Sequence, residues 1–129
     1  MTAKRTVSND PAERIRTKRI YETPESSDGS RILVDRIWPR GMSKERARLD
    51  GWEKGIAPSD GLRKWFHASP HRWDGFKERY KAELKDKEAE LDALAAAVRS
   101  QVVTLVYASA DEGHNNAVVL REVLLQKEK

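Results

Sequence analysis

Apolar residues along this chain fall into short runs, and the spacing inside each run predicts an element. Residues 15–21, with Ile15 and Tyr21 flanking basic positions, predict a first strand. Residues 22–30 carry Pro24, Asp28 and Gly29 and predict a loop. Residues 31–38 hold Ile32, Leu33, Val34 and Ile37 around Asp35, a nearly continuous apolar run that suits a central strand buried on both faces. Pro39 ends that run, because its ring keeps Trp38 extended and it has no N–H to give to a ladder. Gly41 supplies a turn, and Ser43 is placed to cap a short helix over 44–49.

Helical spacing takes over in the middle of the chain. A helix opening at Ser59 carries Leu62, Trp65 and Phe66. Ser69 and Pro70 read as the N-cap and first position of a longer helix, whose Trp73, Phe76, Tyr80 and Leu84 form one apolar stripe. Residues 88–99 continue the pattern through Leu91, Leu94, Ala95 and Val98. Residues 102–109 return to a strand of the buried type, followed by a polar loop over 110–115 and a final helix over 116–126. The loop between the first two strands is too short for a helical crossover, so they are antiparallel if paired and not neighbours if parallel. The strands over 31–38 and 102–109 are joined by a long helical crossover, which predicts a parallel, right-handed unit. The expected fold class is α/β, a small, mostly parallel sheet with helices packed around it in a single layered domain.

At 129 residues the chain suits one core rather than two. Charged residues reach 36%, yet 38% are hydrophobic, with four Trp, three Tyr and two Phe to fill an interior. No run approaches the roughly 20 apolar residues of a membrane span, and no secretory pattern opens the chain. A cytoplasmic protein without membrane contact is the expectation. Cysteine is absent, which excludes disulfides, a thiolate nucleophile and Cys-ligated zinc or iron–sulfur clusters.

The net charge of +4 suggests nucleic acid until it is located. Residues 1–19 hold six Lys/Arg against Asp10 and Glu13, so the other 110 residues carry 19 basic and 19 acidic groups. The excess sits at the N-terminus, where residues 1–14 are expected to form a flexible basic arm ahead of a single domain over 15–129. A neutral body weakens non-specific nucleic-acid binding, which needs many uncompensated phosphate contacts. Residues 31–48 still hold Arg31, Arg36, Arg40, Lys44, Arg46 and Arg48 against Asp35 and Glu45. With the arm, they leave a nucleic-acid-binding or regulatory module as the second candidate.

Open α/β sheets bind ligands outside the carboxyl ends of their strands. The strand over 31–38 delivers Asp35, Arg36, Trp38 and Arg40 there. The strand over 102–109 delivers Ser109, Asp111, Glu112, His114, Asn115 and Asn116, just ahead of a helix N-terminus that favours an anion. Asp35 in an apolar strand is costly unless Arg36, Arg40 or a backbone N–H meets it. It is either a structural ion pair fixing the turn or a carboxylate poised for proton transfer or ligand binding. Arg36, Arg40 and Arg63 are candidates to clamp a phosphate or carboxylate, Arg40 foremost because it adjoins Gly41. Trp38 reads as core or cleft wall. His114 beside Asp111 is either an acid–base pair or an exposed His next to a helix cap made by Asp111 or Asn115. His67 and His71 read as surface or packing residues, and the Trp65–Tyr80 aromatics as core. The candidate catalytic groups are thus Asp35, Asp111 and His114, and the candidate ligand-binding groups Arg36, Arg40, Trp38, Arg63, Asn115 and Asn116. No metal-ligand spacing, phosphate-loop glycine pattern, serine nucleophile elbow or zinc helix occurs, so no metal or cofactor is implied and no reaction is named.

Several of these residues also make the chain recognisable. The run Ile32-Leu33-Val34-Asp35-Arg36-Ile37-Trp38-Pro39-Arg40-Gly41 resembles the signature of the YeaO-like, domain-of-unknown-function-488 family of small bacterial proteins. So do Ala57-Pro58-Ser59, Leu62-Arg63-Lys64-Trp65-Phe66-His67, Arg72-Trp73 with Phe76, and Arg79-Tyr80. Thr104-Leu105-Val106-Tyr107-Ala108, Asp111-Glu112 and His114-Asn115-Asn116-Ala117 complete a similarity that spans about residues 15–125 in order. The resemblance implies a bacterial cytosolic single-domain protein and brings no established reaction. What remains is a small-ligand, anion-binding or enzymatic domain. Its last helix, apolar nearly all round, is either deeply buried or covered by a second copy in a homodimer.

Overall fold

The Asp10 carboxylate accepts the Ala12 N–H at 3.0 Å and starts one helical turn, α1 (Pro11–Arg14), which runs directly into the first strand. The computed structural model describes residues 10–128. Of the expected arm, residues 1–9 lie outside these, while Ala12 is held by Arg121, whose guanidinium donates to its carbonyl at 2.6 Å.

Four parallel strands make one sheet in the order β1-β4-β2-β3. They are β1 (Ile15–Arg19), β2 (Ser30–Leu33), β3 (Gly51–Trp52) and β4 (Val103–Tyr107). β4 lies in the middle, pairing Ile15 and Ser30 across Val103 from its two sides, and all five of its residues are buried. β1 and β2 are therefore parallel and not neighbours, the arrangement their short connection required. Helices α2 (Lys44–Ala47), α3 (Asp60–Ala68), α4 (Trp73–Leu84), α5 (Glu88–Ser100) and α6 (Asn116–Lys127) complete the α/β domain. The larger core joins β1 and β4 to α4, α5 and α6 through residues such as Tyr80, Leu94, Leu105 and Leu120. A smaller one, around Leu33, Met42 and Val106, fills the other face under Trp38 and Trp52.

Two expectations need correction, and one strand was not foreseen. The strand over 31–38 stops at Leu33: the Val34 N–H still reaches the Val106 carbonyl at 3.0 Å, but next the Asp35 side chain, not its backbone, takes the Ala108 N–H. A carboxylate replacing a carbonyl turns the chain out of the sheet, and Ile37 ends 54% exposed. The longer helix begins at Trp73 rather than at Pro70. The Ser69 N–H closes α3 on Phe66 and the Arg72 N–H returns to Ser69, so Pro70 occupies a turn that brings Trp73 against Phe66 with ring centres 5.9 Å apart. Finally, β3 carries no strand signal because it is two residues long and borrows its edge position from β2.

A buried polar node fixes where β2 begins. Gly29 adopts φ of +65°, open to glycine, and the Arg31 guanidinium points inward. Arg31 donates to Asp28 at 2.7 Å and to the Ala47 carbonyl at 2.7 and 3.1 Å, while the Thr104 hydroxyl donates to the Asp28 carbonyl at 2.7 Å. Donors surround Asp28, and although burial pulls the other way its carboxyl stays below the usual value. The basic stretch over 31–48 thus loses Arg31 to the interior. The last helix, α6, is covered by β1, β4, α4 and α5 of the same chain, with no exposed apolar residue among those described.

Candidate functional site

Because all four strands run the same way, their carboxyl ends open on one side, and there a cleft of about 850 Å³ forms. Its walls come from the segment after β2, the α3–α4 corner and the loop between β4 and α6. Every candidate catalytic or ligand-binding residue lines it, Asp35, Arg36, Trp38, Arg40 and Arg63 on one side and Asp111, His114, Asn115 and Asn116 on the other, while Glu112 does not. They share a cleft, but not a job.

Asp35 is half-buried where β2 and β4 end. No arginine among the described residues pairs with it; instead its two oxygens accept the Ala108 N–H at 3.0 Å and the Asn116 side-chain amide at 3.1 Å. The same Asn116 amide donates to the Val34 carbonyl at 2.9 Å, which locks its orientation. Burial pushes the Asp35 carboxyl above the usual carboxylate value, and these two donors and the Arg63 charge recover part of the shift.

The four arginines of the cleft are deployed differently. Arg36 turns its guanidinium to the Pro58 and Ala57 carbonyls at 3.1 and 3.4 Å, which anchors the approach to α3. Arg63 pairs with Asp60 at 2.7 Å on its own helix. Arg19 donates to the Ser109 carbonyl at 2.8 Å and lies 4.9 Å over the Tyr21 ring. Arg40 alone has a guanidinium without a protein partner among the described residues, although its backbone is fixed by the Tyr21 hydroxyl, which donates to the Arg40 carbonyl at 2.7 Å. Trp38 is cleft wall, donating to the Met42 carbonyl at 2.7 Å and packing edge-on to Trp52.

On the opposite side Asp111 organises the loop. One of its oxygens accepts the Gly113 and His114 N–H groups at 3.1 and 3.0 Å, and the His114 ring nitrogen Nδ1 lies 3.1 Å from it. Slight burial opposes these donors, but they prevail and hold the Asp111 carboxyl below its usual value. The His114 ring stands edge-on to Trp73, centres 5.0 Å apart, so only Nε2 is left for a visitor. Asn115 is buried and structural. Its side-chain oxygen caps α6 by accepting the Val118 N–H at 3.1 Å, and its amide donates to the Asp111 and Glu112 carbonyls.

Arg19 and Tyr21 were missed by sequence reasoning. The strand-end rule applied to the first strand would have found them, since β1 is parallel to the other two and ends in the same place. No three His, Cys, Asp or Glu side chains among the described residues converge as a metal site requires.

The sequence has known relatives. Residues 14–129 match the family model DUF488-N3i, described as the inactive DUF488-N3 subclade. The chain is 46% identical over 110 residues to the Escherichia coli K12 protein YeaO, covering 85% of this chain and 96% of that one. It is 43% identical over 111 residues to Rv3073c of Mycobacterium tuberculosis H37Rv and to Mb3100c of Mycobacterium bovis, covering 86% of this chain and 93% of each relative. These relatives carry the name "uncharacterized protein". No solved structure matches the chain. No helix among the described residues is long and apolar enough to cross a membrane.

Proposed function

The chain belongs to the DUF488-N3i family, and from that premise we propose that its cleft holds a small anionic ligand without transforming it. The observation that carries this is Arg40, a fixed-backbone arginine with no protein partner among the described residues, on a cleft that also contains Arg19, Arg36 and Arg63. A guanidinium left free beside three others attracts an oxyanion, and its planar fork suits phosphate or carboxylate. The description of the subclade as inactive favours binding over catalysis, leaving the Asp111–His114 pair as a loop brace that also offers Nε2 to the ligand. A nucleic-acid surface over 31–48 is less supported, because Arg31 is buried and Arg36 is committed to carbonyls.

The test is thermal unfolding with inorganic phosphate, pyrophosphate, short carboxylates and nucleotides. An anion present at ten times its Kd should stabilise the protein by about 1.4 kcal/mol, and Arg40→Ala should abolish the gain. If no anion stabilises the protein, or Arg40→Ala responds like the parent throughout, this function is wrong.

A further inference from the structure

The cleft has an inside and an outside of different chemistry. Among the described residues the exposed large apolar side chains are Tyr21, 38% exposed, and Ile37, 54% exposed, and both sit on this cleft. They share its mouth with exposed Arg40. Large apolar groups left in water beside an unpaired guanidinium mark a surface completed by a ligand. At the inner end stands Asp35. A carboxylate has about four acceptor positions, and the N–H groups of Ala108 and Asn116 fill two of them. Among the described residues no cation lies within ion-pair reach of Asp35, because the Arg63 guanidinium is drawn to Asp60. An oxyanion entering that far would meet like charge, whereas a group with N–H or O–H donors would find acceptors waiting. Between the two ends the walls are Trp38, Pro58, Phe66 and Phe76, which suit a flat apolar body.

Building on the anion-binding function above, we propose that the ligand lies with its oxyanion outward on Arg40 and a donor-bearing planar head inward on Asp35, the polarity of a nucleoside monophosphate bound base-first. Carboxylates read exocyclic amines and ring N–H groups of bases in this way. Guanine, whose ring N–H and amino group lie side by side, presents one donor to each oxygen of Asp35. A volume of about 850 Å³ accommodates a mononucleotide.

Calorimetric titration of the full chain with GMP, guanosine, ribose 5-phosphate and inorganic phosphate separates the two ends. GMP should bind at least about ten-fold tighter than any fragment. Asp35→Asn should weaken GMP and guanosine by about that factor and leave ribose 5-phosphate unchanged, while Arg40→Ala should weaken GMP and ribose 5-phosphate and leave guanosine unchanged. Should Asp35→Asn not fold, N1-methyl-GMP on the parent protein removes the same donor and should show the same loss. Phosphate binding as tightly as GMP, or GMP binding that ignores both Asp35→Asn and the methyl group, overturns the base-first ligand while leaving an anion site intact. Silence from all four probes overturns the base-first ligand, and silence from pyrophosphate and the short carboxylates as well overturns the anion site.

Discussion

Gly29 approaches the neighbouring strand so closely that an added Cβ would stand 2.2 Å from the Val102 carbonyl oxygen, and its φ of +65° is itself costly for other residues. That carbonyl accepts the Ser30 N–H at 2.9 Å, so relief by moving it would break the first rung between β2 and β4. Gly29→Ala should therefore destabilise the protein by more than about 2 kcal/mol in urea unfolding. Gly41, at φ of +76° with open space around it, should cost less when changed to Ala. Asp35 sets a pH dependence with the opposite sign from an ordinary salt-bridged carboxylate. Burial raises its folded value above the 3.8 of a free side chain, so the folded state holds its proton more tightly than the unfolded one. The stability this gives is complete below 3.8 and is lost as pH rises through the folded value. Measured from pH 3 to 7, the Asp35→Asn protein should gain on the parent as pH rises. A difference that stays flat or falls would mean that burial does not raise the Asp35 carboxyl.

At the scale of single elements, α6 depends on the residue that caps it. Asn115 satisfies the free Val118 N–H and ties back two carbonyls of the preceding loop, so Asn115→Ala should cost about 1–2 kcal/mol by thermal unfolding. The same change should loosen the Asp111–His114 loop and weaken whatever the cleft binds. This cap was legible in the sequence, as were Ser43 and Ser59 at the heads of α2 and α3, because a cap is a local contract between a side chain and a backbone three residues away. The stripe Trp73, Phe76, Tyr80 and Leu84 was legible for the same local reason, periodicity. Apart from the Ser69–Pro70 helix start, undone by a local turn in which the Arg72 N–H returns to Ser69, what failed depended on partners distant in the chain. The strand over 31–38 looked continuous because Val34 and Ile37 are apolar, yet its end is decided by Ala108, more than seventy positions away. Arg31 and Arg36 looked like surface charge, and only the carbonyls of Ala47 and Pro58 reveal them as internal struts. The cleft was expected on condition that the strands over 31–38 and 102–109 are parallel, and with that topology Asp35 and His114 line one opening. Roles within it were not legible, since Arg36 and Arg40 are the same residue type four positions apart and differ only in what lies within reach.

Across the whole molecule, order radiates from β4. Its five buried residues all pair with β1 and four of them also with β2, whereas β3 is a two-residue edge. In hydrogen exchange the Leu105 and Val106 amides should open only with global unfolding, and the Glu53 amide, which donates to the Leu33 carbonyl at the end of β3, should exchange much faster through local opening. Equal protection at the two sites would show that β3 is an integral part of the cooperative unit. The central position of β4 also governs how the protein comes into being. β1 and β2 leave the ribosome early with no partner for each other, and residues 34–102 must follow before the strand that joins them emerges. At roughly 5–20 residues per second that is a wait of several seconds with two open edges. Arg16, Lys18 and Arg19 make one of those edges cationic throughout the delay, so nascent copies on neighbouring ribosomes repel one another there instead of zipping together.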